Sequence, residues 1–303
     1  MYRGWYQVAF ERELTGGLTA AEVGDHPLVL VRCDDTVAAF DAACPHRGAH
    51  LGRGGRLDDG AIICPFHGHR VELSEASVSP YRARRYPTRA LGGLVFVLLD
   101  DRHERGFGEF LEGLNRTHLI VQGFTLTART SPELVIENGF DHRHFRLVHG
   151  LEAVSDLTLR PGEHGELLVE GAFLARSSVP WLSGTRDGQE SKIRLLIRVF
   201  SPALCVTELG DGHDCYQVIS GATPTADGRC AIRVSVAVPP AADGARPDPR
   251  VVHSLLRDSK ASYEQDIAIW ESLVPGAPPR FDDEDRLVLE FHRFCRGFLA
   301  ADR

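Results

Sequence analysis

The sequence predicts an α+β protein in two parts, an N-terminal all-β domain over residues 1–112 and a larger domain over residues 113–303. The first hundred residues consist of short apolar runs separated by Gly, Pro and Asp turns, with no long helical periodicity. Farther along, the apolar runs lengthen and two amphipathic helical patterns appear. A chain of 303 residues is long enough for one large core or two smaller ones.

Short strands account for the N-terminal part. The stretch "HPLVLVRCDDTVAAFDAAC" places an Asp-Asp turn between two apolar runs, and "LGGLVFVLLDD" is a strand bounded by glycines and acids. Residues 104–114 are expected to form a linker or a short helix.

The C-terminal part predicts an antiparallel sheet flanked by helices. A long amphipathic helix follows the polar loop 241–249, and its apolar positions include Val252, Leu255 and Trp270. A second helix is expected in "RLVLEFHRFCRGFLA", and residues 176–191 read as a long irregular loop. The expected long strands are "GELLVEGAFLARSS", "KIRLLIRVFSPALCVTEL", "CYQVISGATPT" and "CAIRVSVAVPP".

Composition excludes some classes of function. A formal net charge of −8 argues against a nucleic-acid partner, and no apolar run is long enough for a membrane span. The N-terminus does not resemble a signal peptide, so the cytoplasm, where thiols stay reduced, is the expected compartment. Five scattered cysteines are therefore expected to be reduced and mostly buried: Cys33, Cys205, Cys215, Cys230 and Cys295.

Two matched loops each combine one cysteine with one histidine. Cys44 and His46 form a C-x-H pair, and Cys64 and His67 form a C-x-x-H pair. Four such ligands suit zinc, or a Rieske [2Fe–2S] cluster in which two cysteines hold one iron and two histidines the other. One ligand to each iron from each loop favours the cluster, and a proline after each cysteine stiffens both loops.

The two loops, "CPHRGAHL" and "CPFHGHR", resemble the Rieske signature. The resemblance implies that Cys44, His46, Cys64 and His67 bind the cluster. One departure is His69, which stands where relatives commonly carry an aromatic residue; we expect it to pack near the cluster without ligating it.

A second constellation lies in "ENGFDHRHFRLVHG". A non-haem iron site of two histidines and one carboxylate keeps open positions for other ligands, and His144 and His149 are candidates. Five residues place these side chains about 140° apart on a regular helix. The helix must therefore distort or end between them, and Gly150 makes an ending plausible.

This segment resembles the mononuclear-iron motif of Rieske oxygenases, and its "HFxxVH" form is similar to that of 3-ketosteroid 9α-hydroxylases. The resemblance implies a C-terminal catalytic domain with a helix-grip (START-like) fold, in which His144 and His149 bind Fe(II). It also implies that Asn138 belongs to the site. Asp141 would be a bridge for electrons rather than a ligand.

The third iron ligand is expected to be a carboxylate near the chain end. The stretch "YEQDIAIWES" resembles the family's Gln-Asp-x-x-Ile-Trp segment, which points to Asp266; Glu264 and Asp258 are its rivals. His142 competes with the two histidines, and we expect it to face solvent or support the site.

The resemblance implies the terminal oxygenase of a Rieske system. O₂ is the co-substrate, and electrons come from NAD(P)H through a separate ferredoxin or reductase. It also implies a head-to-tail homotrimer, in which Asp141 joins His144 to His67 of the partner subunit. The expected reaction is monooxygenation of a hydrophobic, cyclic or polycyclic substrate.

Alternatives remain open at this point. The same machinery performs demethylation, desaturation, oxidative cyclisation or cis-dihydroxylation, and a non-catalytic Rieske electron carrier is an alternative of another class. Two further sets are open between a functional and an ordinary structural role. The candidate docking arginines are Arg53, Arg56, Arg82, Arg84, Arg85 and Arg89, and the candidate pocket residues are Phe140, Phe145, Leu147 and Trp181.

Overall fold

The computed structural model describes residues 1–153, 155–176, 190–210, 215–241 and 244–299. Its N-terminal part contains ten short strands and no α-helix before residue 107, so the all-β prediction is confirmed. The strands are β1 (Trp5–Phe10), β2 (Leu18–Val23), β3 (His26–Cys33), β4 (Thr36–Asp41), β5 (Arg56–Asp58), β6 (Ala61–Ile63), β7 (Arg70–Glu72), β8 (Arg85–Tyr86), β9 (Thr88–Leu91) and β10 (Leu94–Leu98).

These strands form three antiparallel sheets, β1-β10-β9, β2-β3-β4-β8 and β5-β6-β7. The small β5-β6-β7 sheet carries the second Cys/His loop, which follows β6. The first loop follows β4. Both cysteines therefore leave the end of a strand and share one apolar core with Leu51, Ile62 and Val71.

The C-terminal part is built on one eight-stranded sheet with the order β11-β18-β17-β16-β15-β14-β12, and β13 also pairs with β14. All of these pairs are antiparallel, as the sequence predicts. The strands are β11 (Leu119–Ala128), β12 (Glu152–Ala153), β13 (Thr158–Pro161), β14 (Leu167–Arg176), β15 (Glu190–Ser201), β16 (Leu204–Leu209), β17 (Tyr216–Pro224) and β18 (Cys230–Val238).

In the part of the chain that the structure describes, five α-helices accompany the sheets: α1 (Phe107–Thr117), α2 (Pro132–Glu137), α3 (His142–Leu147), α4 (Pro249–Trp270) and α5 (Arg286–Arg296). The long helix α4 packs on the large sheet through Val252, Leu255 and Trp270, which are buried as their spacing predicts. Helix α5 contributes Val288 and Phe291 to the same core. None of the described helices is both long and apolar enough to cross a membrane.

The large sheet is apolar on both faces. Val218 faces the core beneath α4, whereas its neighbour Ile219 packs with Trp5 and Phe96 of the N-terminal part. Successive residues of a strand point to opposite faces, so β17 contributes to both cores. The two parts of the chain are therefore joined by a continuous apolar interface.

Helix α1 occupies the stretch for which the sequence leaves a linker or a helix open. Phe107 is fully buried, with its ring centroid 5.4 Å from that of Trp5 and 5.1 Å from that of Phe200. The expected boundary between residues 112 and 113 lies inside this helix. The division into domains 1–112 and 113–303 stays a prediction.

Among the scattered cysteines, Cys205, Cys230 and Cys295 are buried as expected, and no disulfide joins any of the cysteines that the structure describes. Cys33 is exposed, because it is the last residue of β3 and precedes the Asp34 turn. Burial is therefore wrong for this position.

Phe107→Ala is expected to lower the free energy of unfolding by about 3–5 kcal/mol, because it empties the centre of the interface between the two parts. Phe110→Ala, one turn along the same helix at a partly buried position, is the control and should cost less. Urea unfolding of the intact chain measures both. Equal losses would mean that the interface is not centred on Phe107.

Candidate metal centres

The two Cys/His loops have the same backbone. The Cys44 N–H donates to the Ala49 carbonyl (2.9 Å), and the Cys44 carbonyl accepts from the Gly48 N–H (2.8 Å). The same pair of bonds closes the loop at Cys64, at 2.8 and 3.0 Å. Gly48 and Gly68 have φ of +74° and +69°, a region that favours glycine. The repeated sequence pattern therefore produces two copies of one loop.

The loops separate sulfur from nitrogen. Cys44 and Cys64 are each 3% exposed, whereas His46 and His67 lie at the surface with ring centroids 4.9 Å apart. Burial raises the pKa of Cys44. Burial acts in the same direction on Cys64, but backbone N–H groups and the Cys44 thiol donate to its sulfur and lower its pKa. A buried thiol pair beside an exposed imidazole pair fits a binuclear cluster with two sulfur and two nitrogen ligands.

His69 packs beside these ligands, as expected for a residue in the aromatic position. Its ring centroid lies 4.2 Å from that of His46 and 4.7 Å from that of Tyr81. It therefore fills the space between a loop histidine and a tyrosine of the same domain.

The second constellation forms around helix α3, which ends at Leu147. The Asp141 carboxylate caps the start of this helix, because Oδ1 accepts the N–H groups of Arg143 (2.9 Å) and His144 (3.1 Å). His149 lies in the turn beyond the helix, where Gly150 has a φ of +66°. The predicted ending of the helix between the two histidines is confirmed.

His144, His149 and Asp266 converge. The His144 Nε2 atom lies 3.0 Å from His149 Nε2, and Asp266 Oδ1 lies 3.1 and 3.4 Å from these two nitrogens. The His149 Nδ1–H donates to Gln265 Oε1 at 2.9 Å, which leaves its Nε2 lone pair facing the other two groups.

These three groups fit a metal ion. Asp266 is 6% exposed, and its Oδ1 is buried without a hydrogen-bond partner, which is costly for a carboxylate unless a cation compensates it. Nitrogen and oxygen atoms that bind one ion at about 2.1 Å lie about 3 Å or slightly more apart, close to the separations found here. Two histidines and one carboxylate on one side of an ion are typical of non-haem Fe(II).

The rival residues do not belong to the three converging groups. Glu264 is exposed and paired with Lys260, and Asp258 is exposed and accepts from Arg257 at 2.9 Å. His142 Nε2 lies 3.5 Å from Glu284, away from the three converging groups. The structure therefore brings together the residues that the resemblance implies.

A cavity of about 260 Å³ opens beside the three groups. Asn138 lines it, and its side-chain nitrogen is buried without a partner. Phe145 also lines it, whereas Phe140 stacks on Phe291 in the core at 4.6 Å and Leu147 is 75% exposed. Phe140 therefore has the core-packing role that the sequence left open, Leu147 lies at the surface, and Trp181 lies outside the described residues.

Sequence reasoning missed most of the cavity wall. Strands β15, β16 and β17 provide Leu195, Ile197, Thr207 and Ser220, and helix α4 provides Tyr263. The signal for Tyr263 was available, because it precedes Asp266 by three residues on the same helix and therefore shares its face. Which strand residues face the cavity depends on the register of the strands, and local sequence patterns do not reveal that register.

The arginines near the cluster loops are partly neutralised within the chain. Arg56 pairs with Asp58 at 3.3 Å, and Arg82 donates to the carbonyls of Glu75 and Ser77. Others have partners too: Arg84 lies over the Tyr86 ring, and Arg89 is 3.9 Å from Glu112. Arg53 and Arg85 are exposed.

Comparisons with known families agree with this geometry. Residues 4–86 match the Rieske [2Fe-2S] domain, and residues 111–298 match the 3-ketosteroid 9α-hydroxylase C-terminal domain. The chain therefore belongs to the Rieske oxygenases, which are oxidoreductases, in the branch with that C-terminal domain.

Individual relatives span nearly the whole chain. Cholesterol 7-desaturase nvd of Hemicentrotus pulcherrimus is 30% identical over 99% of this chain and 70% of its own. Aminopyrrolnitrin oxygenase PrnD of Pseudomonas fluorescens is 24% identical over 97% and 90%. The structure of dicamba monooxygenase bound to 3,6-dichlorosalicylic acid has a TM-score of 0.72 at 20% identity, covering 98% of this chain and 96% of that one. It shows a common fold.

Cys44→Ser and Cys64→Ser are each expected to remove the visible absorption and the reduced-state EPR signal of the [2Fe–2S] cluster, because each deletes one thiolate ligand. Cys33→Ser is the control, since that thiol is exposed and lies at the end of β3, outside both Cys/His loops. A full Rieske signal in either loop variant would contradict the assignment.

Proposed function

We propose that this protein is the terminal oxygenase of a Rieske system and that it monooxygenates a hydrophobic, cyclic or polycyclic substrate. The observation that carries the proposal is the convergence of His144, His149 and Asp266 within 3.0–3.4 Å on the wall of a mainly apolar cavity. Such a pocket brings a C–H bond of an apolar molecule close to a metal.

His144, His149 and Asp266 would hold Fe(II), which, when bound, supplies open positions where O₂ is activated. The chain's own residues prepare the site. Gln265 fixes the tautomer of His149. The apolar side chains Ile197, Leu195 and Phe173 keep water from the space where the substrate binds.

The [2Fe–2S] cluster would be held by Cys44, His46, Cys64 and His67, and the exposure of both histidines lets a partner approach them. In a head-to-tail homotrimer, His67 of the partner subunit would face Asp141. Both capping bonds of α3 are accepted by Oδ1 of Asp141, so Oδ2 takes no part in the cap. One carboxylate can thus fix the helix and join two metal sites.

NAD(P)H would supply electrons through a separate ferredoxin or reductase. A docking face built on the arginines near the cluster would depend chiefly on Arg53 and Arg85, since Arg56 and Arg82 have partners within the chain.

Analysis of the reaction products distinguishes monooxygenation from the alternative reactions. Reductase-driven turnover with a panel of cyclic apolar compounds distinguishes gain of one oxygen atom from loss of a methyl group or of two hydrogens. Gain of one oxygen supports monooxygenation. Desaturation is the second candidate, because a relative that covers 99% of the chain is named a desaturase.

Asp266→Ala is expected to lower the iron content from about three to about two atoms per chain and to abolish substrate oxidation, because the mononuclear ion loses its anionic ligand. The cluster EPR signal should be unchanged. Glu264→Ala, which alters an exposed carboxylate of the same helix, is the control. About two irons in the wild-type protein would instead favour the electron carrier.

Asp141→Asn is expected to leave both metals bound and to slow turnover by about 10- to 100-fold, because the amide keeps the capping oxygen but loses the charge. Asp141→Ala should be equally slow and less stable by about 1 kcal/mol, since it also loses the cap. Stopped-flow reoxidation of the reduced cluster, with substrate and O₂, measures the transfer. Fast reoxidation in the Asn variant would remove Asp141 from this role.

A further inference from the structure

One part of the cavity wall is polar. Cys205, Thr207, Ser220 and Tyr263 meet there, and we call them the hydroxyl cluster. The Tyr263 hydroxyl donates to Ser220 Oγ at 2.8 Å. The side chains of Thr207 and Ser220 act on the Cys205 thiol and lower its pKa, against the larger effect of burial. Cys205 and Ser220 are direct partners across β16 and β17, so both point into the cavity.

The hydroxyl cluster lies close to the three converging metal-site groups. Tyr263 precedes Asp266 by three residues in α4, so the two side chains share a face of the helix and start about 4.5 Å apart along its axis. A ligand group bound at Tyr263 would therefore hold the rest of a molecule against the metal site.

The cluster is uncharged. Burial raises the pKa of the Cys205 thiol to about 12 and also raises that of the Tyr263 phenol, so both keep their protons at neutral pH. Asp258, near the exposed end of the cavity, is occupied by the Arg257 guanidinium at 2.9 and 3.0 Å. Among the described residues that line the cavity there is no Lys or Arg. A charged ligand group would be buried here without a counterion, which is costly.

The hydrogen bond from Tyr263 to Ser220 leaves the Tyr263 oxygen as an acceptor for a ligand. Tyr263 uses its one proton on Ser220. The oxygens of both hydroxyls can still accept. A ligand hydroxyl can donate to them, whereas a carbonyl cannot.

We propose that Tyr263 and Ser220 bind a hydroxyl group of an uncharged, largely apolar substrate and thereby determine which carbon lies against the metal site. This inference rests on the proposed function and specifies its substrate class. The hydroxyl sits about one helical turn from Asp266, and the apolar remainder contacts the walls formed by Leu195, Ile197 and Phe173.

Equilibrium dialysis with the iron-loaded protein, without O₂, tests the proposal independently of turnover. The probes are 4-cyclohexylcyclohexanol, 4-cyclohexylcyclohexanone and bicyclohexyl, which share one skeleton. The alcohol is expected to bind about tenfold more tightly than the hydrocarbon, the effect of one neutral hydrogen bond, and also more tightly than the ketone.

Tyr263→Phe and Ser220→Ala should each bring the ratio of the dissociation constants of the hydrocarbon and the alcohol close to one. Ser262→Ala is the matched control and should keep the preference for the alcohol, because that cavity serine already donates its hydroxyl to the Asp258 carbonyl at 3.2 Å. Thermal melting shows whether each variant is folded. If one of the two variants does not fold, the other still tests the proposal.

Equal binding of alcohol and hydrocarbon, including failure of both to bind, would overturn the proposal. So would a ketone bound as tightly as the alcohol, or a preference that survives both substitutions. Iron content measured on the same samples separates this from the proposed function. If the protein contains about three irons per chain but shows no preference for the alcohol, only the proposed hydroxyl site is contradicted. If it shows the preference but contains about two irons per chain, the proposed oxygenase function is contradicted.

Discussion

The convergence of the metal-site groups depends on where helix α3 ends. On a continuous helix, His149 would point about 140° away from His144. The chain instead leaves the helix after Leu147, and Gly150 with φ of +66° redirects it. Asp141 fixes the other end of this short helix as its cap. The site is therefore set by two helix boundaries, and helix α4 only has to present Asp266 from the opposite side.

The alternation of side chains along the large sheet joins the two parts of the molecule. Ser220 faces the cavity, and its neighbour Ile219 packs in the core shared with the N-terminal part. On β16, Val206 packs in the same shared core, and its neighbour Thr207 faces the cavity. A change in packing around Trp5 or Phe107 would therefore shift strands whose other face lines the cavity. The cluster domain is part of the scaffold of the second site.

The sequence predicts those parts of the molecule that depend on neighbours in the chain. The Cys/His loops are local, and the burial of Val252, Leu255 and Trp270 follows from helical spacing. The cavity is not local, because Ser220 meets Tyr263 across 43 positions only when β17 and α4 are correctly placed. The sequence leaves Phe140 open between pocket and core for the same reason, since its stacking partner Phe291 lies far along the chain.

Composition fails where position in an element decides exposure. Cysteine is a residue type that is usually buried, but Cys33 is the last residue of β3 and is exposed. The arginines near the cluster show the converse. Their number suggests a basic surface, but Asp58 and Glu112 lie close enough to neutralise two of them. Sequence counts charges, whereas a docking surface depends on which charges remain unpaired after folding.

The metal-site groups also bear on stability. A buried Asp266 oxygen without a hydrogen-bond partner is unfavourable unless a cation compensates its charge. The fold accepts this cost because the remaining contacts hold the groups in place: Gln265 orients His149, and Asp141 holds the backbone of His144. A cation that binds only this folded arrangement stabilises it by mass action. Metal affinity and the stability of the C-terminal core are therefore coupled through the same three side chains.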